Sequence, residues 1–318
     1  MNDASAVALA TTPQKLYVLG HPVAHSKSPV MYNAVYDRLG FPWHYDLMDC
    51  ETPAEANEFL AKRDFLSINI TTPYKPEALA AATAKAASAK LAHGANILVK
   101  KADALIAFNT DGQGCVGYLE RVGFDFKDAK VAICGTGPTA LAILHAAAVA
   151  GASEILLLSR DKEHAREVLE RYVEELGELA HATVDLKASK ASHRSFLSAY
   201  EETTFRFGSY TTSTQAIDAA DLVINATPLG MRPDDPAPFD VSLFRRGQAA
   251  FDVVYAHGET AFAAGAKAAG CTFCDGCGML VAQAVATVQA VCEVSEIEIE
   301  LPFDELFDIM AQAAAFDV

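Results

Sequence analysis

The sequence predicts an α/β protein with largely parallel sheets, divided into about two domains. Three observations carry that expectation. Strand-like and helix-like segments alternate along the chain, the pattern of β-α-β units. The chain has 318 residues, and domains run at roughly 150 residues each as a prior. Finally, a tight apolar run at 130–134 leads straight into Gly135-Thr136-Gly137-Pro138-Thr139-Ala140 and then a second, longer apolar run.

In chain order, residues 1–13 read as a frayed leader and 15–19 as a short strand ending at Gly20. Residues 29–39 have helical spacing, with Ser28 as the expected N-cap and Pro29 at the first helical position. A strand is expected at 43–48, a helix at 53–63 and a strand at 65–70, which ends in the polar turn Thr71-Thr72-Pro73. Residues 78–90 are alanine-rich and predict one helix, and 96–99 with 104–108 flank a charged turn as a hairpin. A second unit then follows, with a helix over 114–122, the strand at 130–134 and an apolar helix to residue 150. Next come a strand at 154–158 and a helix over 162–176 with charges on its outer face. The stretch 181–210 is polar and without clear period, so it reads as an insertion of unknown structure. Strands are expected at 222–226 and 249–254, and helices at 279–293 and 303–315.

Composition narrows the function. There are 25 Lys and Arg against 41 Asp and Glu, a formal net charge of −16. That acidity argues against a general nucleic-acid binder, which needs a basic surface to displace counterions from phosphate. With 51% hydrophobic residues the chain can bury sizeable cores. The apolar stretch 140–152 is broken by His145 and falls short of the roughly 20 residues a bilayer requires, so no membrane partner is expected. Seven scattered cysteines and an N-terminus without the basic start of an export signal point to reduced thiols in the cytoplasm. Cys271, Cys274 and Cys277 lack the further ligands of a zinc ribbon or an iron–sulfur set, so no metal is expected.

The glycine loop carries chemistry. A strand, Gly-x-Gly-x-x-Ala and a helix together aim backbone N–H groups and a helix dipole at a pyrophosphate. Gly135 permits the tight turn, Gly137 lets phosphates approach, and Ala140 lets the helix pack close to the strand. The next strand ends in Ser159-Arg160-Asp161-Lys162, where a dinucleotide's adenosine ribose belongs. Arg160 and Lys162 favour the 2′-phosphate of NADP, whereas Asp161 pulls toward the free hydroxyl of NAD.

Five ordered motifs then resemble one family, the shikimate dehydrogenases. They are Gly20-His21-Pro22 with His25-Ser26-Lys27-Ser28-Pro29; Asn69-Ile70-Thr71-Thr72-Pro73-Tyr74-Lys75; Asn109-Thr110-Asp111-Gly112; Asn225-Ala226-Thr227-Pro228-Leu229-Gly230-Met231; and Asp275-Gly276 through Gly278-Met279-Leu280 to Gln283-Ala284. Asp252, Tyr255 and Thr260 fit as well, and the likeness spans nearly the whole chain. The resemblance implies an N-terminal α/β substrate domain, 1–113 with 276–318, and a Rossmann-like dinucleotide-binding domain, 114–275, the last helices returning to the first domain. It implies hydride transfer between NADP and the ring alcohol of shikimate or ketone of 3-dehydroshikimate, by a monomer or homodimer. Lys75 and Asp111 would be catalytic. Ser26, Ser28 and Thr71 would hold the substrate carboxylate, Asn96 and Gln283 ring hydroxyls, and Tyr255 the carboxylate or nicotinamide. The cofactor would lie on Gly135 to Ala140, Ser159, Arg160, Asp161, Thr227, Met231 and Gly276.

The sequence also departs from the family's pattern. Gly94-Ala95-Asn96-Ile97 stands where Gly-Ala-x-Asn-Thr is usual, Tyr32 replaces a histidine, His257 a proline, and Thr136 and Pro138 stand in the cofactor loop. Use of quinate or NAD, and a metabolite sensor without turnover, are the alternative readings; the presence of both Lys75 and Asp111 favours the enzyme.

Overall fold

Strand pairing sorts the chain into two compact units, residues 1–114 with 280–318 and residues 115–279. The computed structural model describes residues 8–181 and 190–318.

The first unit is built on a six-stranded mixed sheet. Its strands are β1 (Gln14–Gly20), β2 (Trp43–Asp49), β3 (Ser67–Ile70), β4 (Ala84–Lys85), β5 (Ile97–Lys101) and β6 (Ala104–Phe108), in the order β2-β1-β3-β5-β6-β4. β1 pairs in parallel with β2 and β3, while β5 runs antiparallel to β3 and β6. β3 is buried along its whole length, as expected of a strand covered on both faces. Helices α1 (Ser28–Leu39), α2 (Pro53–Lys62), α3 (Lys75–Ala81) and α4 (Ala87–Leu91) connect the strands.

Two local expectations are corrected here. Lys27, not Ser28, holds the N-cap position of α1, and Ser28 donates its backbone N–H to Ser26 Oγ at 3.2 Å. The alanine-rich stretch is two short helices rather than one, because its middle pairs with β6 as the strand β4. Thr83 fixes that break by exchanging two hydrogen bonds with Leu105, donating its N–H to the carbonyl at 2.9 Å and accepting the amide on its hydroxyl at 2.8 Å. Tertiary pairing thus overrides alanine's helical preference.

After the helix α5 (Asp111–Arg121), the second unit carries β7 (Lys130–Cys134), α6 (Pro138–Val149), β8 (Glu154–Ser159), α7 (Lys162–His181), α8 (Lys190–Glu202) and β9 (Thr204–Ser209). It continues through α9 (Thr214–Ala219), β10 (Leu222–Asn225), β11 (Ala249–Asp252), α10 (Ala261–Ala269) and β12 (Thr272–Asp275). Its six strands are all parallel in the order β12-β11-β10-β7-β8-β9. Numbered within the unit this is 6-5-4-1-2-3, the strand order of dinucleotide-binding sheets with the switch point between β7 and β10. The polar stretch 181–210 is therefore largely part of the fold. Its residues 190–202 are helical and 204–209 form the edge strand, where Phe205 and Phe207 alternate with exposed Thr204 and Arg206. Residues 182–189, like most of the N-terminal leader, lie outside the described residues.

The chain ends in α11 (Gly276–Val294) and α12 (Phe303–Ala314), and from residue 280 onward it belongs to the first unit. α11 is the one described helix long and apolar enough to cross a bilayer, with a mean hydropathy of 1.5. Over half of that stretch is buried in the protein, and Val281, Ala282, Val285, Val288 and Val291 are core residues.

Candidate active site

One edge of the first unit's sheet gathers the end of β3, the start of β5 and the end of β6, because Asn69 pairs with Ile97 and Ile97 with Phe108. Lys75 opens α3 just after β3, Asn96 precedes β5, and Asp111 opens α5 just after β6. Three short connections therefore deliver three polar side chains to one place. Asn109 fixes the last of them: its Oδ1 accepts the Asp111 N–H at 3.0 Å and its Nδ2 donates to the Gly94 carbonyl at 2.9 Å.

Lys75 Nζ donates to Asp111 Oδ2 in a short ion pair. The other carboxylate oxygen, Oδ1, accepts from Asn96 Nδ2 at 2.8 Å. The Lys75 side chain keeps 18% exposure and that of Asp111 9%, so the pair is largely buried but both side chains keep some open surface for a ligand. A buried ion pair is tolerated when further hydrogen bonds meet its remaining lone pairs, and Asn96 supplies one. Asn96 also donates to Thr110 Oγ1 at 2.9 Å and accepts the Thr110 N–H at 2.9 Å. Both of its N–H groups and its side-chain oxygen are thereby engaged within the protein, and the residue is buried.

The hydroxyls expected to hold a carboxylate lie on loops that follow β1 and β3. Gly20 brings those loops together: a side chain there would stand 2.3 Å from Thr71 Cγ2, and the next residue's N–H reaches the Thr72 carbonyl at 3.2 Å. Ser28 is buried, while Ser26 and Thr71 are partly exposed. Gln283 is half-buried on α11, its Nε2 donating to the Leu280 carbonyl at 2.8 Å. Gly114, one turn into α5, permits this approach, since a Cβ there would lie 2.6 Å from Gln283 Cβ. Asn69, Thr110 and Thr287 join the cluster by hydrogen bonds. They were not expected as site residues, because partners separated by tens of residues leave no periodic signal.

The second unit holds the expected nucleotide residues. Gly135 has φ +116°, and a Cβ on it would meet the Ala226 carbonyl at 2.7 Å, so glycine is required where β7 passes β10. Gly137 is the N-cap of α6, with open space where a side chain would stand. That is room for phosphate beside a helix N-terminus. Pro138 takes the first helical position, Ala140 is buried, and Thr136 Oγ1 lies 3.1 Å from His164 Nε2. Ser159 is buried and closes the turn by accepting the Asp161 N–H at 3.0 Å. Arg160 is exposed. The Asp161 carboxylate accepts the Glu163 N–H at 2.9 Å and so caps α7. Thr227 is buried, donating to Asn225 Oδ1 at 2.6 Å, whereas Met231 is half exposed. Tyr255 lies in the loop after β11, three residues past its end. Gly276 is explained by packing, since a Cβ there would lie 2.2 Å from the Val253 carbonyl. An open glycine at a helix start, an exposed arginine and an exposed methionine together fit a phosphate-bearing dinucleotide.

Residues 18–98 match the shikimate dehydrogenase substrate binding domain. Over 272 residues the chain is 33% identical to the shikimate dehydrogenase (NADP(+)) of Moorella thermoacetica, covering 85% of this chain and 84% of that one. It is 30% identical to the enzyme of the same name from Symbiobacterium thermophilum, with 84% and 85% covered. Among solved structures it is similar to shikimate 5-dehydrogenase from Thermus thermophilus, a complex with NADP(H) and shikimate (TM-score 0.73, 25% identity, 94% and 99% covered). A quinate dehydrogenase from Corynebacterium glutamicum in complex with NAD shares the fold (TM-score 0.73, 22% identity, 95% and 100% covered).

Proposed function

The chain belongs to the shikimate dehydrogenase family, and on that premise we propose that it catalyses the reversible NADP-dependent reduction of 3-dehydroshikimate to shikimate, a step toward chorismate and the aromatic amino acids. The observation that carries this reading is the Lys75–Asp111 pair, with the carboxylate held on both oxygens and the amine still reachable.

Reducing a ketone requires a hydride on carbon and a proton on the developing alkoxide. NADPH, when bound, supplies the hydride. The Lys75 ammonium meets the ring oxygen, stabilises the growing negative charge and donates the proton. In the reverse direction the neutral amine takes the proton from the alcohol. Asp111 keeps the amine aimed and accepts a substrate hydroxyl, and Asn96 keeps Asp111 from turning. Ser26, Ser28 and Thr71 hold the ring carboxylate, and Gln283 a ring hydroxyl. Arg160 pairs with the 2′-phosphate of NADP. The Asp161 carboxylate is occupied in capping α7, which supports NADP over NAD. We read the enzyme as cytoplasmic, a reading supported by seven cysteines, none of them in a disulfide.

The test is reduction of NADP by purified protein on addition of shikimate. Turnover is expected in both directions. A folded protein inert toward both shikimate and 3-dehydroshikimate overturns the reading.

A further inference from the structure

We infer that Thr287, on α11 and outside every motif that carries the reaction, is a positioning residue for the Lys75–Asp111 pair. It acts through a buried chain of hydrogen bonds. The inference rests on the catalytic reading above.

The direction of each bond follows from the groups that have only one choice. The Asn96 carbonyl can only accept, so Asn69 Nδ2 is the face turned toward it and Asn69 Oδ1 accepts the Tyr45 hydroxyl at 2.9 Å. Nδ2 donates to Thr287 Oγ1 at 3.4 Å and reaches the Asn96 carbonyl at 3.5 Å. Thr287 Oγ1 lies 3.3 Å from Thr110 Oγ1. The Thr110 N–H donates to Asn96 Oδ1, which commits the Asn96 amide to donate to Thr110 Oγ1 and to Asp111 Oδ1. The chain ends at Asp111 Oδ2 on Lys75. At its far end Tyr45 stacks on Tyr32 with ring centroids 4.2 Å apart and planes 6° apart. One chain of bonds thus runs from the buried Tyr45 phenol to the proposed proton donor.

Tyr45, Asn69, Thr287, Thr110, Asn96 and Asp111 are all buried. A buried polar group that loses its partner has no water to replace it, so it turns to find another. Removing the Thr287 hydroxyl takes the helix-borne acceptor from Asn69 and a neighbour from Thr110. Thr110 Oγ1 is the acceptor that holds one half of the Asn96 amide, and the other half holds the Asp111 carboxylate. Loss at Thr287 is therefore felt at the catalytic pair.

Thr287→Val keeps the branched shape and removes the hydroxyl, whereas Thr287→Ser keeps the hydroxyl. Losing one neutral hydrogen bond corresponds to a fall of about three- to tenfold. That fall is expected in the kcat of Thr287→Val for shikimate oxidation, with the shikimate KM changed less than about twofold. Thr287→Ser should restore kcat. Tyr45→Phe, which loosens Asn69 from the other side, should lower kcat in the same direction. Folding of each variant is checked by its melting temperature, and Tyr45→Phe carries the test if Thr287→Val does not fold. Wild-type kcat in folded Thr287→Val, or equal losses in the Val and Ser variants, overturns the inference, as does wild-type kcat in Tyr45→Phe. These results count against the inference alone when the wild-type protein is active. An inactive wild type overturns the catalytic reading and the inference with it.

Discussion

Lys75 works beside a carboxylate that cannot swing away from it, since one oxygen of Asp111 faces the amine and the other is held by Asn96. On the proposed role, Lys75→Ala removes the proton donor without emptying the pocket of its other contacts. General acid–base groups contribute about 10²- to 10⁴-fold, so Lys75→Ala should lose at least the lower figure in kcat while calorimetry still detects shikimate binding. Near-normal kcat in a folded variant would remove Lys75 from the role. At the cofactor end, Arg160 is exposed and the neighbouring Asp161 carboxylate is engaged by the Glu163 amide. A charge-assisted hydrogen bond contributes roughly 1.5–3 kcal/mol, so Arg160→Ala should weaken NADP by at least about tenfold and NAD far less. Equal losses for the two cofactors would mean that Arg160 only stacks on adenine. At this scale the sequence was informative where residue type and motif spacing coincide, as at Lys75, Asp111 and the glycine loop. It was silent on Thr287 and gave Asn69 and Thr110 a place in a motif but no role, because their bonding comes from partners up to 218 positions away.

Elements were legible where hydrophobic period and caps agreed, and were missed where a neighbouring strand decided the outcome. Residues 84–85 pair with β6 against their helical surroundings, and β9 is recognisable only as Phe205 and Phe207 two apart in a polar stretch. Packing between α6, α7 and α8 has a consequence that can be measured. His145 on α6 lies 3.1 Å from the Tyr172 hydroxyl, and its ring stacks on Phe196 with centroids 5.7 Å apart. Burial pulls the imidazole from 6.5 down to about 4. Because the unfolded chain takes up that proton first, stability is full above pH 6.5 and is lost as pH falls toward about 4. The loss should reach roughly 3 kcal/mol at the acid end. Denaturant unfolding across this range should show a flatter pH dependence for His145→Phe than for the wild type. Parallel curves would mean that His145 is already charged in the folded protein.

At the scale of the molecule, two α/β units divide the proposed work. The first holds the Lys75–Asp111 cluster at one sheet edge, and the second has the strand order and open glycine loop of a dinucleotide sheet. The alternation of strands and helices foretold that class, whereas the order of strands in each sheet appears only in the structure. A net charge of −16 leaves recognition of two anionic ligands to local groups; those proposed are Arg160 for the cofactor and Ser26, Ser28 and Thr71 for a ring carboxylate. Shikimate and quinate differ at the carbon bearing that carboxylate, where quinate carries an added hydroxyl on a tetrahedral centre. Ser28 is buried, so nothing in that serine pair makes room for the extra group. A site not shaped for an added hydroxyl rejects it only modestly, by about 10²-fold in one type of pocket. The most direct measurement is kcat/KM of the purified chain for shikimate and for quinate, each with NADP and with NAD. Shikimate with NADP should give the highest of the four values, with quinate slower but detectable; a higher kcat/KM for quinate with its better cofactor would contradict the account.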